Sequence, residues 1–87
     1  MKTQNYKIVP GMAWRVIGEK AYVFDPTTSQ LHELSETAAV AWLELDKHKS
    51  STAIAKRFCE DFEVSPEQAL NDVNTLLMDL KTKGLIE

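Results

Sequence analysis

The 87-residue sequence has no apolar run near the roughly 20 residues that a membrane-spanning helix needs. Its first ten residues, MKTQNYKIVP, also lack the apolar stretch of a secretory signal. A cytoplasmic protein with no membrane partner is the resulting expectation. Its one cysteine, Cys59, has no second cysteine for an internal disulfide. With only His32 and His48 beside it, no paired metal-ligand spacing exists, so neither metal nor cofactor is expected. Internal repeats and low-complexity segments are absent as well.

Cations are missing from one long stretch. Between Glu60 and Leu80 there are six acids and no Lys or Arg, whereas residues 1–24 carry Lys2, Lys7, Arg15 and Lys20 against Glu19 alone. Catalytic groupings are missing too. Cys59 lies beside Phe58 and reads as a small buried hydrophobe, and His48 sits in the polar DKHKS loop without a partner suggested by spacing. The carboxylates are scattered over helix faces and turns. No nucleophile, base or metal cluster marks an enzyme.

What remains is one small core. A chain of this length buries about 60–65% of its unfolded surface, enough for a single domain. Residues 1–11 read as an N-terminal arm, with Tyr6, Ile8 and Val9 as a short apolar patch closed by Pro10-Gly11, and residues 12–87 as the domain. AWRVI and AYVF are β-rich runs separated by Gly18, Glu19 and Lys20, a hairpin spacing with Gly able to take positive φ. DPTTS is a turn in which Asp25 accepts from nearby backbone and Pro26 presets φ. QLHEL then alternates, placing Leu31 and Glu33 on one face and His32 and Leu34 on the other.

Three helices follow. Ser35 is placed to cap a helix running to about Leu45, whose Ala38, Ala41, Trp42 and Leu45 recur on one face. Ser50 starts a second, to about Asp61, with Ile54, Phe58 and Phe62 four residues apart. SPEQ starts the third, with Ser65 as cap, Pro66 at the first helical position and Gln68 spaced to bond back. That helix runs to about Lys83, with Ala69, Val73, Leu76, Leu77 and Leu80 as its stripe and Gly84 as its stop. The fold class is therefore α+β, a three-stranded antiparallel meander followed by three helices.

A meander leaves its outer strands with free edges, and Gln30, Leu31, His32, Glu33 and Leu34 form one of them with Glu33 as its single charge. Either a helix or the arm covers this edge, or an extended peptide adds itself as the next strand. Addition needs a wall of side chains beside the edge. The third helix supplies candidates in Leu70, Asn74, Met78 and Lys81 on a flank of the stripe, with Leu77 next to them, and an unbranched Met adapts to apolar partners.

Together these residues resemble a known family. The segment AWRVIGEKAYVFDPTTSQLHELSETAAVAWLEL, then a short amphipathic helix, then FEVSPEQALNDVNTLLMDLKTKGLIE, is similar to the PqqD-like proteins over about residues 9–87. These are recognition elements for ribosomally synthesised, post-translationally modified peptides. Ser35 stands where the family usually has Asn. The segments do not closely match the proteins of pyrroloquinoline quinone synthesis, so the resemblance leaves the pathway open. It implies a winged helix-turn-helix-like fold whose groove, between the third strand and the third helix, takes the leader of a precursor peptide as an added strand. The implied partners are that leader and a separate modifying or processing enzyme, with the domain a non-catalytic adaptor that raises local peptide concentration. A monomer or a strand-exchanged dimer fits a free edge beside an arm. The competing class is a winged-helix nucleic-acid-binding regulator. It needs cations on the recognition helix, and this one offers Asp72 and Asp79 before any Lys.

Overall fold

A computed structural model describes residues 5–87; residues 1–4 of the expected arm lie outside that range. Three strands, β1 (Ala13–Ile17), β2 (Lys20–Asp25) and β3 (Gln30–Leu34), form one antiparallel sheet in the order β1-β2-β3. Helices α1 (Glu36–Asp46), α2 (Ser51–Asp61) and α3 (Pro66–Thr82) follow. This is the α+β meander and helix trio expected from the sequence.

The turns explain the register. Gly18 takes φ +63° as the first residue of the two-residue loop between Ile17 and Lys20, the positive φ that a primed hairpin turn demands there. In the next turn the Asp25 carboxylate accepts from the Thr27 N–H at 2.9 Å, and Ser29 closes the loop at φ +59°. All three caps form: Ser35, Ser50 and Ser65 hydroxyls accept from the N–H groups of Ala38, Ala53 and Gln68. Each cap contributes about 1 kcal/mol. The reciprocal half of the third cap does not form. The Gln68 side chain donates instead to Asp72 Oδ1 at 2.8 Å, its neighbour one helical turn on.

α1 packs on β2 and β3 through Ala38, Ala41, Trp42 and Leu45, all buried, and α2 and α3 close the core with Ile54, Phe58, Ala69, Val73, Leu77 and Leu80. Trp14 meets Trp42 edge-on at 6.2 Å between ring centroids. Val16 shares the face of Trp14 but stays half-exposed, because the helices lean on β2 and β3 and leave the outer end of β1 bare. Arg57 ties α2 to α1 through Glu44 at 3.1 Å and also holds Asp61 at 2.9 Å, whose hydrogen bond and charge raise the guanidinium pKa further.

The described part of the arm does not pair with the sheet. Gly84, at φ +78°, turns the chain after α3 so that Leu85 and Ile86 enter the core. The arm pairs with this segment: Lys7 and Glu87 exchange N–H···O bonds of 2.9 and 2.8 Å, and the Val9 N–H donates to the Leu85 carbonyl at 3.1 Å, while the Leu85 N–H donates to Leu80. Among the described residues no helix is long and apolar enough to cross a membrane.

Candidate functional site

The parity of β3 follows from the first hairpin. A two-residue turn bonds the residues that flank it, here Ile17 and Lys20, and bonded and non-bonded pairs then alternate along the ladder. Tyr22 and Phe24 therefore point their backbone groups at β1, and Ala21, Val23 and Asp25 point theirs at β3. Their register partners are Leu34, His32 and Gln30. That leaves the N–H and C=O of Leu31 and Glu33 facing away from β2. Among the described residues no strand pairs with this edge.

Side chains alternate along the same strand. Leu34 is buried and His32 half-buried on the helix side, while Leu31 (67% exposed) and Glu33 stand on the outer face. Glu33 meets Lys20 at 3.3 Å, and both are exposed. Among the described residues the buried His32 Nε2 atom has no hydrogen-bond partner, and neither has Trp42 Nε1. An edge strand thus carries an unsatisfied ring nitrogen on its inner side.

Only Ser35 separates β3 from α1, so the first turn of α1 lies at the end of the edge. There Thr37 borders a groove of ≈ 500 Å³. Its other walls are Asp72, Thr75, Leu76 and Asp79 of α3, with Phe58, Phe62 and Val64 at the end of α2. The floor is aromatic and aliphatic, with Phe58 and Phe62 edge-on at 5.4 Å, and the rim is acidic. Asp79 is held by Lys83 at 3.1 Å.

The α3 residues expected from the sequence lie elsewhere. Leu77 is fully buried in the core and belongs to no exposed flank, because it sits at the centre of the apolar stripe. Leu70 lines a second groove with Thr52, Ala55, Lys56, Cys59 and Pro66, between α3 and α2. The Lys81 ammonium stands 5.7 Å from the centroid of the Tyr6 ring in the arm. Met78 is 60% exposed and Asn74 half-buried. Helical periodicity defines two flanks beside a stripe. Which flank shares a groove with the start of α1 depends on how the helices are hung on the sheet, and here it is the flank of Asp72, Leu76 and Asp79.

A family model described as coenzyme PQQ synthesis protein D matches residues 20–86. The chain belongs to the PqqD family. Solved structures share this chain's fold at low sequence identity. TbiB1 in complex with the TbiA(beta) leader peptide superposes at a TM-score of 0.88, with 21% identity over 93% of this chain and 94% of that one. A lasso peptide synthetase B1 complexed with a leader peptide gives 0.85, with 20% identity over 95% and 98%. The PqqD truncation of Methylobacterium extorquens PqqCD, a stand-alone recognition element for ribosomally synthesised and modified peptides, gives 0.77, with 18% identity over 95% and 88%. No curated protein matches the chain in sequence.

Proposed function

We infer that this PqqD-family chain is a non-catalytic adaptor, working in the cytoplasm. It binds the leader of a ribosomally made precursor peptide as a fourth strand on β3 and presents the remainder to a separate modifying enzyme. The observation that carries this reading is the open β3 edge, with the Leu31 and Glu33 backbone groups facing outward and an apolar groove bordered by Thr37 just beyond the end of the strand. Backbone bonds along the edge supply generic affinity, and side chains entering the groove supply selectivity. Two of the superposing folds carry leader peptides. Residues 12–87 serve as the binding domain and the arm as its tie to the C-terminus.

The test is an NMR titration of the full chain with a synthetic peptide from the N-terminal half of a short open reading frame encoded beside this gene. Amide shifts at Leu31, Glu33, Thr37 and Leu76 are expected to move together. Shifts confined to the α2–α3 groove of Leu70 and Cys59 would place the binding surface elsewhere and overturn the strand-addition reading.

A further inference from the structure

The face of the sheet turned away from the helices is unusually apolar along one row. Register places Ala13, Phe24 and Leu31 side by side on β1, β2 and β3, and Arg15, Tyr22 and Glu33 in the row beside it. Phe24 is 40% exposed and Leu31 67%. At the β1 end the first row finishes on a small alanine. At the β3 end it finishes on Leu31, whose own backbone groups face the open edge.

A fourth strand running antiparallel to β3 continues both rows. Directly opposed residues in an antiparallel pair share a face, with Cβ atoms about 4.5–5.5 Å apart. The residue opposite Leu31 therefore lands on the outer face against Leu31 with Phe24 behind it. Two positions earlier in the incoming strand, the residue opposite Glu33 meets its carboxylate from the free side. Lys20 already holds that carboxylate from the β2 side, and Arg15 lies two strands away across Tyr22. An incoming anion meets Glu33 first, an unfavourable directly opposed like-charge pair, whereas an incoming cation completes the row.

We propose that the outer face reads the docked strand, and that the peptide taken by β3 carries a Lys or Arg two residues before a large apolar residue. The cation sits opposite Glu33 and the apolar side chain opposite Leu31. This rests on the strand-addition reading and adds to it the side-chain chemistry of the peptide face turned away from the groove. A second copy of the chain is the poorer occupant. One row of three side chains falls far short of the roughly 800 Å² per partner that a stable dimer buries.

The experiment is affinity selection of a displayed random-peptide library, on the order of ten residues long to span a strand, on the full chain and on Glu33→Lys and Leu31→Thr variants. Selected peptides are then checked by amide hydrogen exchange at residues 31 and 33. The native chain is expected to enrich basic-x-apolar, Glu33→Lys to enrich Asp or Glu at the first position, and Leu31→Thr to lose the apolar preference while keeping the basic one. Each mismatched pair should lower affinity up to about fivefold. Peptides that protect both amides but whose charge preference ignores residue 33 would overturn the proposal and leave strand addition standing. If no enriched peptide protects those amides, strand addition itself fails and the proposal with it.

Discussion

The two edges of one small sheet differ in everything except their backbone. Among the described residues no strand pairs with the outward N–H and C=O groups of β1 and β3, at Trp14 and Val16 on one side and at Leu31 and Glu33 on the other, by the same alternation. β3 is anchored by buried Leu34, runs within one residue into a capped helix, and opens beside the groove of Thr37 and Leu76. β1 is exposed along most of its length, with Trp14 reaching α1 edge-on to Trp42. An open edge becomes a selective site only where a rigid element and a side-chain wall lie beside it. The β1 edge has beside it a smaller pocket of ≈ 300 Å³, where Trp14 meets the arm and the end of α1, and no helix runs on from the strand.

The largest effect should erase the comparison. Leu77→Ala removes a fully buried side chain shared by both halves of the core, and a loss of about 3–4 kcal/mol is expected in urea unfolding. Next, proline at an outward position removes a free donor without touching the ladder to β2. Leu31→Pro should weaken peptide binding at least about tenfold, which is about 1.4 kcal/mol, while Val16→Pro leaves it within a factor of two. Equal losses, measured by fluorescence polarisation with both variants folded, would mean the edges are interchangeable.

The two flanks of α3 give a finer contrast. Leu76→Ser, in the groove that reaches Thr37, should cost about fivefold in affinity, on the order of 1 kcal/mol for an interface side chain. Met78→Ser, on the opposite flank, should cost nothing measurable in the same titration. The smallest change is Ser35→Ala. Losing the cap at the β3–α1 junction should lower stability by about 1 kcal/mol, seen as a shifted urea midpoint with an unchanged slope.

Much of this architecture was legible in the sequence because its signals are local. Ser35, Ser50 and Ser65 each announce a helix start, Gly18 and Gly84 sit where only a left-handed backbone fits, and Asp25-Pro26 marks the turn. The five residues of β3 were likewise readable from alternation. What escaped is set by tertiary geometry. The stripe of α3 shows which side is buried, but that the Leu76 flank and not the Leu70 flank shares a groove with Thr37 follows from the packing of α3 on α1. Gln68, spaced to bond back to the Ser65 cap, donates instead to Asp72 one helical turn on, a pairing that helix spacing equally allows. The arm's partner was hidden for the same reason: Ile86 meets Ile8 in an isolated bridge because Gly84 turns the chain back against the core.

Amide hydrogen exchange, residue by residue, with and without the synthetic leader peptide, tests the difference between the two edges most directly. The account predicts that the Leu31 and Glu33 amides, free to exchange in the isolated chain, become protected on binding, while Trp14 and Val16 exchange as before. Protection appearing at Trp14 and Val16 instead, or at neither edge while the peptide is bound, would contradict it.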